Sequence, residues 1–145
     1  MSAAGALNIL LVDDETELLG EIARYLERRG HRVQTAVSYA AGQDLIDNAV
    51  APDVLISDVR MPGGTGLDLA RRVQERHSGC RIIIMTGHLD EEQIGSPEDL
   101  GAAAVLFKPF SFRRLLSLVT GADARPSDDA ESAVPRSAAG SDARS

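Results

Sequence analysis

The stretch PDVLISDVRMPGGTG, Pro52 to Gly66, decides how the rest of the chain is read. Pro52-Asp53 breaks whatever precedes it. Val54-Leu55-Ile56 is an apolar run too short for a helix and suits a buried strand that ends at Ser57-Asp58. Pro62 to Gly66 is a loop of turn-forming residues. Leu67 to Arg76 then takes up a helical pattern. A buried strand that stops on an acid, turns and becomes a helix is the first half of a βαβ unit.

Working outward, the same unit recurs. Downstream, RIIIMT (Arg81 to Thr86) is a second strand of the same kind, and Ala104 to Phe107 is another. Ser111 caps a last helix whose apolar stripe is Phe112, Leu115, Leu116 and Val119. Upstream, NILLV (Asn8 to Val12) is a buried strand. A helix over Glu15 to Arg29 follows, with Leu18, Ile22, Tyr25 and Leu26 on one face and Gly30 just past its end. His31 to Ala36 alternates as an outer strand. Ala40 to Ala49 is a helix with Ala41, Leu45 and Ala49 inward. Strands alternating with helices at this spacing predict an α/β fold, a doubly wound parallel sheet covered on both faces.

Composition sets the outer limits. The chain has 145 residues, 43% of them hydrophobic and 26% charged, the profile of one soluble globule. The net charge of -7 repels a phosphate backbone, so no direct nucleic-acid partner is expected. Arg113 and Arg114, the only basic pair of the last helix, read as a solvated face. Cys80 is the single cysteine, so no internal disulfide forms, and it reads as a small residue before a strand. No apolar run is long enough for a membrane span, and the N-terminus lacks a basic signal region, so the expected location is cytoplasmic. Residues 1–6 read as a flexible N-terminus and 7–121 as the folded domain. Residues 122–145 read as a disordered tail or linker, because Val134 is their only large apolar residue.

The chemistry gathers at strand ends, where parallel α/β sheets place their ligands. Asp13-Asp14 follows the first strand, Asp58 ends the third, Thr86 ends the fourth, and Lys108 follows the fifth. Carboxylates within ~5 Å of one another repel by roughly 3 kcal/mol per pair at an effective dielectric of 20. Something cationic must compensate. Lys108 supplies one charge, and a hard divalent ion such as Mg²⁺, which favours one or two carboxylates, supplies two. A carboxylate is also a nucleophile toward phosphorus. Gly63-Gly64-Thr65-Gly66 fits neither of the glycine-rich nucleotide patterns and reads as a tight loop beside Asp58.

These residues resemble the receiver domain of two-component response regulators. The matching stretches are VDDE (Val12 to Glu15), PDVLISDVRMPGGTG (Pro52 to Gly66), IIIMTGH (Ile82 to His88) and FKPF (Phe107 to Phe110). The resemblance implies a flavodoxin-like (CheY-like) five-stranded sheet in the order 2-1-3-4-5. It implies that Asp58 accepts phosphate from a sensor histidine kinase or histidine phosphotransfer protein. Asp13, Asp14, Asp58 and the backbone carbonyl of Arg60 would hold Mg²⁺, and Thr86 and Lys108 would contact the phosphoryl oxygens. Arg60 and His88 stand where the family tunes phosphate lifetime, and the Lys108–Pro109 bond is expected to be cis. Such a domain is not an enzyme toward other substrates; it assists only its own phosphorylation and dephosphorylation. It signals by binding a downstream protein that the sequence does not name, with a phosphorylation-dependent dimer left open.

Three departures from the family pattern bear on output. Val105 stands where the family usually carries Tyr or Phe, so the threonine–aromatic coupling is not expected. Gly95 and Pro97 predict a broken fourth helix between Leu89 and Gly101. No effector domain is expected after the last helix, so the chain is a stand-alone receiver or a fragment of a longer regulator. The competing reading is an aspartate-dependent phosphohydrolase. It is disfavoured by the adjacent aspartates after the first strand, where such enzymes carry DxD.

Overall fold

Leu10, Leu55 and Ile82 stand side by side on adjacent strands, and one residue along, Leu11, Ile56 and Ile83 do the same on the opposite face. That register follows from strands with no polar face: once both sides are apolar, both must be covered. The computed structural model describes residues 6–48, 51–87 and 104–121. Five strands form one parallel sheet: β1 (Asn8–Val12), β2 (Arg32–Ala36), β3 (Val54–Asp58), β4 (Arg81–Thr86) and β5 (Ala104–Phe107). Their spatial order is β2-β1-β3-β4-β5, the doubly wound order expected from the family resemblance.

Four helices cover the sheet among the described residues: α1 (Thr16–Arg28), α2 (Tyr39–Asn48), α3 (Gly66–Arg76) and α4 (Phe112–Thr120). Alternate positions along each strand feed separate cores. Ile9, Leu11, Ile56, Ile83, Met85 and Leu106 pack with α1 and α4, whereas Leu10, Val12, Leu55, Ile82 and Ile84 pack with α2 and α3. β1 therefore leads to a helix on one face and β3 to a helix on the other. The reversal opens a crevice at the carboxyl ends of these two neighbouring strands. No helix among the described residues is long and apolar enough to cross a membrane.

The helix faces differ in detail from the sequence expectation. In α1 the fully buried set is Leu19, Ile22 and Leu26, with Leu18 and Tyr25 packed at its flanks. In α2 it is Gly42 and Ile46, with Ala41 and Leu45 only half-buried; Ala49 lies outside the described residues. The reason is Gly42. A β-carbon there would lie 3.2 Å from Leu69 Cδ1 and 3.3 Å from Val12 Cγ2, so the helix approaches the sheet through a residue with no side chain. In α4, Leu118 joins Leu115 and Val119 in the core, and Phe112 and Leu116 flank it. The loop expected from Pro62 is a tight hairpin, Arg60–Met61 pairing antiparallel with Gly64–Thr65 and turning at Gly63 with φ of 92°. Thr65 caps α3 by accepting from the Asp68 N–H at 3.1 Å. The expected break at Gly95–Pro97, and the reading of residues 122–145, lie outside the described residues.

Candidate functional site

The crevice is built by backbone before any side chain enters it. Val12 pairs with Ser57 and Asp58 with Met85, so Asp13 and Asp58 emerge as neighbours from β1 and β3. The Lys108 N–H donates to the Thr86 carbonyl at 2.8 Å and carries the β5 end to the β4 end. The Lys108–Pro109 peptide is cis.

Lys108 then reaches across. Its Nζ lies 3.1 Å from Asp13 Oδ2, 3.3 Å from Asp58 Oδ2 and 3.0 Å from Glu15 Oε1. Asp13 is fully buried. Its other oxygen, Oδ1, accepts from the Glu15 N–H at 2.8 Å. Asp58 Oδ1 accepts from the Val59 N–H at 2.9 Å, which fixes the carboxylate plane. Burial pushes the carboxyls of both Asp13 and Asp58 above the usual carboxylate range, against the opposing pull of Lys108. For Lys108, burial favours loss of the proton. The hydrogen bond to Glu15 and the charges of Asp13 and Asp58 outweigh it, and the ammonium is held above the ordinary lysine range. The site thus sets one fixed cation beside two buried carboxyls, Asp13 and Asp58, that resist ionising.

Asp14 joins from the solvent side. Asp13, Asp14 and Asp58 each offer an oxygen within 4.8 Å of the others. Three hard oxygen donors, already short of positive charge, have the chemistry that suits Mg²⁺. Arg60 sits in the hairpin immediately beyond Asp58. Thr86 is buried next to Asp58's partner Met85, but its hydroxyl donates to the Gly87 carbonyl at 3.0 Å rather than to a carboxylate. Of the residues expected from sequence, the structure therefore brings Asp13, Asp14, Asp58 and Lys108 together, with Thr86 at the adjoining strand end. His88 lies outside the described residues, and His31 and His77 are elsewhere, at the start of β2 and the end of α3.

Two further residues shape the site: Gly66, expected only as part of the tight loop beside Asp58, and Glu15, for which no separate role was expected. Gly66 opens α3 so close to β3 that a β-carbon would collide with the Asp58 carbonyl and the Ser57 hydroxyl. Glu15 reaches Lys108, as above. Its signal was present in the acid that directly follows the Asp pair.

The comparisons with known proteins fall on this architecture. A family model described as "Response regulator receiver domain" matches residues 9–120. The chain belongs to the response-regulator receiver family. It is a phosphoacceptor module of two-component signalling. It is 34% identical over 111 residues to the DNA-binding transcriptional regulator NtrC of Klebsiella pneumoniae, covering 75% of this chain and 23% of that protein. It is 35% identical over 102 residues to the photosynthetic apparatus regulatory protein RegA of Cereibacter sphaeroides, covering 70% of this chain and 55% of that one. The receiver thus spans about a quarter to about half the length of these relatives. Among solved structures, a response regulator receiver domain protein from Clostridium thermocellum superposes with a TM-score of 0.72 at 32% identity, covering 80% of this chain and 93% of that one. Full-length FixJ from B. japonicum gives 0.70 at 31% identity, with 86% and 62% covered.

In the receiver's β5, Val105 packs half-buried on the α2–α3 side, Leu106 is buried on the other, and Phe107 is 47% exposed. No aromatic ring occupies the Val105 position.

Proposed function

We propose that Asp58 is the phosphoacceptor of this receiver and that a phosphohistidine, on a sensor histidine kinase or a histidine phosphotransfer protein, is its donor. The observation that carries the proposal is the contact of Lys108 Nζ with both Asp13 and Asp58 at the switch point of the sheet. An Asp58 oxygen forms a bond to phosphorus as the P–N bond breaks. The donor's other ring nitrogen already carries a proton, so the nitrogen that held phosphorus keeps the bonding pair and the ring leaves as neutral imidazole. Lys108 is placed to take one phosphoryl oxygen, and the Thr86 hydroxyl reaches another by turning away from Gly87. Asp13, Asp14, Asp58 and the Arg60 backbone carbonyl would hold Mg²⁺. The ion supplies positive charge against the phosphoryl oxygens, which Lys108 alone cannot balance.

The same reading covers the rest of the module's behaviour. It acts on no substrate but its own aspartyl phosphate, works in the cytoplasm, and signals by binding a downstream protein. NtrC is a DNA-binding regulator by name, but the match covers only its receiver-sized portion. With a net charge of -7, this chain is read as making no direct contact with nucleic acid. Val105 offers no ring to follow Thr86, so the change on phosphorylation passes through some other contact.

The test uses the full chain with a small-molecule phosphodonor and Mg²⁺. One phosphoryl group on Asp58, located by mass spectrometry, is the expected result. Modification that persists in Asp58→Asn, or that proceeds equally in EDTA, overturns the assignment.

A further inference from the structure

An ammonium has three N–H donors and no acceptor. Lys108 Nζ already has three acceptors, at 3.0 Å (Glu15), 3.1 Å (Asp13) and 3.3 Å (Asp58). Its hydrogen-bonding capacity is therefore full, and an incoming phosphoryl oxygen must displace one of the three. Asp13 is fully buried and also bound through its other oxygen to the Glu15 N–H, so it is held in place. Asp58 is the residue to be modified. Glu15 is the acceptor that water can most readily replace, because its side chain is 61% exposed against 0% for Asp13 and 14% for Asp58.

Among the described residues, the Glu15 side chain has no partner but Lys108. It is the N-cap residue of α1, with extended φ and ψ of -85° and 97°, yet its side chain makes no capping hydrogen bond. Glutamate caps poorly because its carboxylate sits one methylene too far from the backbone it should serve. That length is what lets it span to Lys108. Its backbone is fixed by Asp13 and its side chain by Lys108, so both ends of the residue face the site.

We propose that Glu15 is a positioning residue: it holds Lys108 in the unphosphorylated site and competes with the phosphoryl group for that lysine, thereby slowing phosphorylation and shortening the life of the aspartyl phosphate. This rests on the assignment of Asp58 made above. A half-exposed ion pair of this kind is worth about two- to five-fold in rate.

The experiment measures the rate of Asp58 phosphorylation by a small-molecule donor at saturating Mg²⁺, and the decay after donor removal. It compares the full wild-type chain with Glu15→Gln and Glu15→Ser, each also in a Lys108→Met background. Glu15→Gln is expected to speed phosphorylation about two- to five-fold and to slow decay. Glu15→Ser, a better helix cap, is expected to do the same, whereas a purely structural role would raise thermal stability and leave both rates alone. Both effects are expected to vanish without Lys108. Unchanged rates in both variants, or the same acceleration in Lys108→Met, overturn the competition. A wild-type chain that takes no phosphate on Asp58 overturns the functional reading itself, and is distinguished by failing before any variant is compared.

Discussion

The two ends of one sheet use their polar residues in opposite ways. At the amino ends of the strands the polar side chains close backbone groups or one another. The Asn8 N–H donates to Asp53 Oδ2 at 2.8 Å, Arg32 Nε to Asn8 Oδ1 at 2.7 Å, and the Leu7 N–H to His31 Nδ1 at 3.1 Å. Backbone bonds run alongside, from Asp53 to Asn8, from Arg81 to Asp53 and from Arg32 to Leu7. At the carboxyl ends, Asp13 and Asp58 turn toward each other, both pushed up by burial and sharing Lys108 as their cation. The same strands supply both ends, so the fold does not require the crowding at one of them. It is a local arrangement held by the rigidity of the rest, with its unbalanced charge directed at whatever enters the crevice.

The largest expected effect comes from removing the shared cation. Lys108→Met keeps the aliphatic stem but takes from a fully buried Asp13, beside Asp58, the ammonium that both contact. Breaking a buried pair by deleting one member costs about 3 kcal/mol. The urea midpoint in EDTA should fall accordingly and recover in part with Mg²⁺. Asp58→Asn should shift it the other way, because the pocket resists that charge and an amide of the same shape does not carry it. If both variants lose stability alike, the carboxyl end is an ordinary ion-pair network and the contrast fails.

At the amino end the effect should be smaller and blind to Mg²⁺. Asp53→Ala removes the acceptor of the Asn8 N–H but keeps both backbone bonds at residue 53. The hydrogen bond is exposed, so the loss should be about 1 kcal/mol, with phosphorylation of Asp58 unchanged. A lowered phosphorylation rate would mean that the two ends are coupled through β3 rather than independent.

The contrast also explains what could be read from sequence. Runs such as Leu10 to Val12 and Ile82 to Met85 have no polar face, so their burial on both sides needed no structure to be seen. Aspartates at strand ends are visible for the same reason, as charge abutting an apolar run. Stripes were harder to place. Gly42 carries no hydrophobic signal, so its close approach to Val12 and Leu69 was hidden, and Leu45 seemed the inward residue instead of Ile46. Leu18 and Leu19 are adjacent leucines, so the pattern alone leaves undecided which one faces inward, and Leu118 widens the stripe beside Val119, which is buried as expected. The contacts of Asn8 with Asp53 and of Glu15 with Lys108 join residues 45 and 93 positions apart. Neither has a local pattern, because the sheet order alone brings them together.

The smallest effect concerns His31 and is one of pH. The ring is buried beside the amino ends and accepts the Leu7 N–H at Nδ1, which a protonated ring cannot do. Burial holds its pKa below the ordinary histidine value of 6.5. The sign follows from linkage. Above 6.5 the ring is neutral in both folded and unfolded chains. Below it the unfolded chain takes up the proton first, so this contribution to stability is full above 6.5 and is lost as the pH falls toward the folded value. His31→Asn places a non-titrating carbonyl oxygen where Nδ1 sits. Whatever the smaller side chain costs at pH 7.5, the gap in urea stability between wild type and variant should narrow by less than about 1 kcal/mol on going to pH 5.5, the size of one hydrogen bond. A gap that stays constant would show that the amino end holds no proton-sensitive bond. The pH dependence of the domain would then lie with its carboxylates.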